Sequence, residues 1–192
     1  MMPEKHLTDS DRTYLLSLAR KTIENSINGT ALPPLEIDNL SPVLQEQGAS
    51  FVTLTSRGYL RGCVGALEPY QSLAEDVREH AMAAAFQDYR FPPVQANELK
   101  DIEIEISYLT RPVPLKYENP VDLLHLLKPN IDGVVLRDGM RRATFLPQVW
   151  EKISDPEEFL EELCMKMGAQ PDLWRRKKLD VLTYQVEEFS EK

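Results

Sequence analysis

A chain of 192 residues with 42% hydrophobic side chains is long enough to bury one substantial core or two small ones, and its composition excludes disorder. Its 31 acidic residues outnumber 22 basic ones, and the formal net charge of -9 argues against general binding to nucleic acid or acidic membranes, where cationic neutralisation of phosphate supplies most of the affinity. No apolar run approaches the ~20 residues of a membrane helix, residues 1–11 are polar and charged unlike a signal peptide, and the two cysteines form no CxxC, so reduced thiols in the cytoplasm are expected.

Thr8-Asp9-Ser10-Asp11 reads as a Thr-x-x-Asp capping box that opens a helix, and Asn28-Gly29 stops it. Between them Leu15, Leu18, Ala19, Thr22, Ile23 and Ile27 recur at helical spacing, which makes this a packing helix. Residues 32–40, with Pro33-Pro34, form a connector suited to covering a sheet edge, and residues 42–47 suit a short helix.

Residues 51–55 and 59–67 flank the turn Ser56-Arg57-Gly58 and predict a hairpin. Strict alternation along its second strand puts Tyr59, Arg61, Cys63, Gly65 and Leu67 on one face. Leu60, Gly62, Val64 and Ala66 then form the core face. Glycine in a strand marks a bulge, a bend, or a place where a ligand or another backbone comes close, so Gly62 and Gly65 draw notice. At a spacing of roughly 7 Å, Arg61 would favour the thiolate of Cys63 by about 0.6 to 2.4 kcal/mol, enough for a moderately reactive thiol. Two readings of Cys63 stay open: a functional thiol, or a small apolar filler in the core. Arg61 has its own alternative, a solvated strand residue.

Ser72-x-x-Glu75 caps a helix running to about Asp88, and Ala81, Ala83, Ala84 and Ala85 let it approach the sheet closely. Leu73, Val77, Ala81, Ala84 and Asp88 share a stripe, which leaves Asp88 either an ordered acceptor near Cys63 or a solvated residue of the last turn. Arg90 either meets the helix's final carbonyls or clamps an anion. Phe91, held extended by Pro92, is expected to plug the core. His80 lies four residues after Asp76, which can hold its imidazole, and a Cys63–His80 pair would supply a base for the thiol. His6 and His125 look structural or solvated. With no HxxxH, no paired cysteines and no DxD, neither a metal nor a cofactor is expected.

Ile102, Ile104, Ile106 and Tyr108 alternate with polar residues as a half-buried strand that Pro112 and Pro114 end. A short helix at 120–128 follows, then a hairpin from 133 to 146 around Asp138-Gly139. Asp155-Pro156 opens another helix, closed by Gly168, whose Phe159, Leu160, Leu163, Cys164 and Met167 form a packing stripe. Trp150 and Trp174 are expected to anchor this half, Arg175-Arg176-Lys177-Lys178 to be a solvated face, and residues 179–189 to be a last strand. Helices mixed with antiparallel hairpins predict an α+β fold.

The hexapeptide Leu60-Arg61-Gly62-Cys63-Val64-Gly65 resembles the signature of the AMMECR-domain family, in which Ile is more usual at the position of Val64. Asp88-Tyr89-Arg90-Phe91-Pro92-Pro93, residues 104–110, Asp132-Gly133, residues 146–149 and residues 159–166 resemble further blocks of that family in the same order. Tyr108 stands where Val is usual, and Met167-Gly168-Ala169 replaces a more usual Ala-Gly-Leu. The resemblance implies two subdomains of antiparallel sheet flanked by helices, with the hexapeptide facing a cleft between them. The larger would take about 1–113 plus 179–192 and the smaller about 114–178. Leu60, Arg61, Gly62, Cys63, Val64, Gly65, Asp88 and Arg90 are then the expected ligand-contacting residues. Two functions follow: a binding or regulatory module for a peptide, protein or anionic ligand, or an enzyme using Cys63 as nucleophile or group acceptor with Arg61 beside it. The family's bacterial company, the AmmeMemoRadiSam grouping, implies Memo-like or radical S-adenosylmethionine proteins as partners.

Overall fold

In the computed structural model, which describes residues 6–191, helix α1 (Asp9–Ile27) begins at the expected cap: Thr8 Oγ1 accepts from the Asp11 N–H, and the Thr8 N–H donates to the Asp11 carboxylate at 2.9 Å. Leu15, Leu18, Ala19, Thr22 and Ile23 are its buried face. The connector that follows is tied to the next long helix, because Arg78 donates to the Pro33 carbonyl at 3.1 Å. After the single turn of α2 (Pro42–Gln45) come β1 (Gln47–Ser56) and β2 (Tyr59–Gly65). They are joined by Arg57 and Gly58 at φ 53° and 81°, a two-residue loop whose left-handed pair matches the twist of the strands.

The short β3 (Gln71–Ser72) pairs with β1 and leads into α3 (Leu73–Phe86), capped by Ser72, whose hydroxyl accepts from the Glu75 N–H. β4 (Ile102–Leu109) then pairs antiparallel with β1 along its length. Val52, Leu54, Ile104 and Ile106 turn one sheet face inward, where they meet Leu15, Ile23, Val77 and Ala81 of the two helices in one core. Period-2 burial on the strands and period-3.6 burial on the helices produce this layer of helix on sheet. At roughly 1.5–3 kcal/mol per fully buried aliphatic side chain, this contact surface is the main support of the layer.

Contacts divide the chain into two units, residues 1–110 with 187–192 and residues 111–186. The second unit holds β5 (Val113–Pro114), α4 (Leu123–Leu126), β6 (Gly133–Asp138), β7 (Arg141–Phe145), α5 (Pro156–Lys166), α6 (Leu173–Arg176) and β8 (Asp180–Tyr184). Its sheet runs β5-β8-β6-β7, and its core gathers Leu136, Trp150, Phe159, Leu163, Cys164 and Trp174. Trp150 and Phe159 stack with ring centroids 3.6 Å apart, and the indole N–H donates to the Asp132 carbonyl at 2.8 Å. Cys164, on the packed face of α5, is fully buried, and that burial pushes its thiol pKa up.

The last strand differs from expectation. Residues 179–189 are two strands interrupted at Gln185, not one. β8 hydrogen-bonds to β6, pairing Tyr184 with Gly133 and Val181 with Leu136, so residues 179–186 belong to the smaller unit instead of the larger. β9 (Val186–Ser190) joins the other sheet, whose order is β2-β1-β4-β9. Residues 111–113, expected in the larger unit, also fall in the smaller one because Val113 pairs with Thr183. No helix among the described residues is long and apolar enough to cross a membrane.

Candidate functional site

The hexapeptide occupies the edge strand β2, and a bulge decides where its side chains go. Cys63 pairs with Thr53 and Gly62 with Leu54, yet the next partner of β1, Thr55, faces Leu60. Arg61 is the extra residue, and strict alternation ends there. Leu60, expected on the core face, is 44% exposed. The Arg61 side chain leaves the row of Cys63 and grips Glu98 with two parallel hydrogen bonds of 2.8 and 3.1 Å. That pair, with the Arg61 side chain only 12% exposed, holds the Glu98 carboxyl below its usual range, aided by the Gln95 N–H. Arg61 is therefore spent on tying β2 to the turn at 95–101, and its Nη1 is buried without a partner.

The two glycines are occupied by protein. A Cβ on Gly62 would stand 2.1 Å from the Ala84 carbonyl oxygen, so α3 lies directly against the strand there. The alanines of α3 make that approach feasible. A Cβ on Gly65 would stand 2.4 Å from both the Phe51 ring and the Ser50 carbonyl. Val64 packs against the core of the larger unit. Of the eight residues singled out in the sequence, Gly62, Gly65 and Val64 thus meet neighbouring protein.

Cys63, Asp88 and Arg90 are brought together. The Cys63 N–H donates to Asp88 Oδ2 at 2.9 Å, and Arg90 Nη2 donates to the Cys63 carbonyl at 3.2 Å. Arg90 also grips Asp88 through Nε (2.9 Å) and Nη2 (2.6 Å), and its backbone N–H donates to the same carboxylate. One carboxylate and one guanidinium, two residues apart, replace the backbone of a neighbouring strand at this point of the sheet edge. The Arg90 guanidinium, opposed by burial and seconded by the Cys63 N–H, drives the Asp88 pKa far below the ordinary carboxylate value. Arg90 is itself raised by Asp88.

On the other side of Cys63, Thr53 Oγ1 donates to Sγ at 3.3 Å, and the residue is half-buried. Asp88 is buried, and so is the ordered acceptor of the two alternatives. Arg90 does not serve the end of α3, whose late carbonyls of Ala83 and Ala85 accept from Gln87 and Val94. Phe91 is no core plug: it is half-buried, with the Arg90 guanidinium 5.5 Å from its ring centroid, and Val94 is the buried residue of this segment. Tyr59 and Tyr89 are 80% and 96% exposed.

His80 does meet Asp76, with Nδ1 3.1 Å from Oδ2, and Ser50 donates to that same oxygen at 2.6 Å. This cluster is buried between β1 and α3, and no hydrogen bond joins it to Cys63. Thr53, Glu98 and Ser50 are the polar contacts that sequence reasoning missed. Thr53 needed the bulged register, Ser50 reaches Asp76 across 26 positions, and Glu98 lies 37 positions from its arginine. No group of three or more His, Cys, Asp or Glu side chains positioned to hold a metal occurs among the described residues.

Residues 16–189 match the family described as AMMECR1. A protein of Methanothermobacter thermautotrophicus is 40% identical over 184 residues, covering 95% of each chain. One of Thermofilum pendens is 36% identical over 198 residues, covering 96% of this chain and 92% of the other. The crystal structure of an uncharacterised protein from Pyrococcus horikoshii superimposes with a TM-score of 0.73 at 33% identity, over 97% of this chain and 94% of that one.

Proposed function

The chain belongs to the AMMECR1 family, and from that we propose that it is a cytoplasmic binding or regulatory module that holds an anionic ligand, or a carboxylate of a peptide or protein partner, at the outer edge of β2 beside Cys63. The observation that carries this reading is the Asp88–Arg90 pair. Asp88 is buried and fixes the guanidinium through Nε and Nη2, while the Arg90 side chain remains 43% exposed. A fixed guanidinium loses less freedom on binding a carboxylate or phosphate than a mobile one. Tyr59, Leu60 and Tyr89 supply exposed apolar surface on the same strand and the adjoining segment. Arg61, which the sequence put in this role, and Arg90 are each paired with a carboxylate, but Arg61 is far less exposed, so Arg90 is the cation that a ligand can reach.

The test compares what co-purifies with the wild-type chain, with Arg90→Gln and with Tyr89→Ser, after circular dichroism has shown all three folded. Ligand or partner lost in Arg90→Gln is the expected result. Equal recovery from Arg90→Gln refutes the reading.

The contact of Thr53 Oγ1 with Sγ favours a second reading, in which Cys63 is a nucleophile or group acceptor whose sulfur is held by a hydroxyl donor. It lacks a hydrogen-bonded base, since His80 is engaged elsewhere. Iodoacetamide labelling across pH decides: labelling of Cys63 no faster than that of a free peptide thiol removes this alternative.

A further inference from the structure

The smaller unit carries a groove of about 680 Å³ lined by charged groups that form no ion pair among the described residues. Arg137 on β6 and Asp180 on β8 stand opposite each other in register, yet they form no ion pair. Lys116 and Lys178 line the same groove, with Glu118 beside them. The surrounding cations are consumed: Arg141 and Lys177 share Asp138, Arg175 pairs with Glu157, and Arg176 with Asp172. Three residues of the basic run 175–178 are thus neutralised and the fourth, Lys178, is left over the Tyr117 ring, 5.2 Å from its centroid. Arg137, Lys116 and Lys178 make no ion pair among the described residues, and Arg137 is half-buried in that state. The Arg137 guanidinium is not among the buried, unpartnered polar atoms, so water serves it, and a phosphate can replace that water with a charged acceptor.

The wall behind these groups is rigid. The Tyr117 hydroxyl donates to the Leu179 carbonyl at 2.6 Å and accepts from the Leu179 N–H at 2.8 Å, which fixes the backbone between Lys178 and Asp180. Residues 111–186 carry as many basic as acidic side chains, so the net charge of -9 resides on the larger unit and the groove lies on the neutral one. The mixture of charges selects the ligand. Three cations call for an anion of charge two or more, but Glu118 and Asp180 would repel a bare anion and need donors of their own. The volume lies in the range of small-molecule sites, which a bare phosphate would leave mostly to water.

We propose that this groove binds the phosphate ester of a polyhydroxylated body, a sugar or nucleoside monophosphate. The phosphate lies against Arg137, Lys116 and Lys178, and ligand hydroxyls donate to Glu118 and Asp180. Arg137 takes the phosphate through paired donors, a geometry that guanidinium and phosphate share.

Isothermal titration calorimetry at fixed ionic strength tests this with glucose 6-phosphate, adenosine monophosphate and inorganic phosphate as probes. The expected result is that at least one ester binds ten-fold or more tightly than inorganic phosphate. Arg137→Gln should raise its Kd at least ten-fold, Lys178→Gln several-fold, and Asp180→Asn should tighten inorganic phosphate while narrowing or abolishing the ester's advantage over it. Lys178 is exposed, so its variant keeps the test alive should Arg137→Gln fold poorly. Arg90→Gln, in the other unit, should leave this binding intact, which separates the groove from the surface at Cys63. The proposal is overturned if neither ester binds, if inorganic phosphate binds as tightly, or if Arg137→Gln and Lys178→Gln bind like the wild type.

Discussion

Gly62→Ala measures how tightly the hexapeptide is held against its helix. The added Cβ would fall 2.1 Å from the Ala84 carbonyl oxygen, where real Cβ atoms essentially never come within 3.0 Å, so strand and helix must separate by about an ångström. The obstacle is main chain, which cannot rotate away as a side-chain tip would. Overpacking of this kind costs about 1–3 kcal/mol. The loss of glycine's freedom in the unfolded chain returns only about 0.4–1 kcal/mol. The net expectation is a destabilisation of about 1–2 kcal/mol, and with a urea m-value of about 2 kcal/mol per molar the midpoint falls by about 0.5–1 M. Gly29→Ala is the matched control, since its Cβ meets nothing within 4 Å and only the positive φ of 65° is penalised, by about 1–2 kcal/mol. Asp88 follows the end of α3 by two residues, so Gly62→Ala should also loosen the Asp88–Cys63 bond, seen as faster exchange of the Cys63 amide. The Gly29 variant should not. A Gly62→Ala protein that unfolds at the wild-type urea concentration, with unchanged exchange, would refute the close approach.

Three further outcomes are expected. Asp88 has a folded pKa below the unfolded value of about 3.9, so the stability it adds is whole above about pH 5 and is lost as pH falls toward the folded value. The stability gap between wild type and Asp88→Asn should therefore narrow from pH 5 to pH 3, and a gap that widens would contradict the pairing with Arg90. Phe159→Ala removes a fully buried ring stacked on Trp150 and should cost about 3–5 kcal/mol in denaturant unfolding, with a changed near-ultraviolet circular dichroism signal from the indole. Thr8→Ala deletes the cap of α1 and should cost about 1 kcal/mol, a loss that Thr8→Ser should largely restore.

What could be read in advance follows from the range of the forces involved. Thr8 and Asp11, Ser72 and Glu75, and Asp155 ahead of Pro156 satisfy helix ends within four residues, so those starts lie where the sequence puts them. The packing stripe of α5, Cys164 included, needs only a 3.6-residue period. β2 is different, because alternation along a strand holds only until a residue is inserted. Counted back from the Arg57-Gly58 turn without a bulge, Thr53 would face Gly62; the extra Arg61 brings it opposite Cys63 and sends the guanidinium to Glu98. No local pattern announces that insertion. The break at Gln185 was hidden for a similar reason, since the alternation of apolar residues continues through it and only the strand partners reveal two sheets. Asp88 could be placed at the end of its stripe from spacing, but its choice of the Cys63 amide required the tertiary contact.

The pairing of Asp88 and Arg90 with the Cys63 main chain bears on how this molecule behaves in a crowded solution. An outermost strand with free amides and carbonyls is a template on which another molecule can be added, and repeated addition yields ribbons. Here the rim is closed at its middle by two charged side chains that no incoming chain can displace without stranding a buried carboxylate. Protection from polymerisation and the display of a fixed cation are thus performed by the same two residues, so a variant selected to abolish one would forfeit the other.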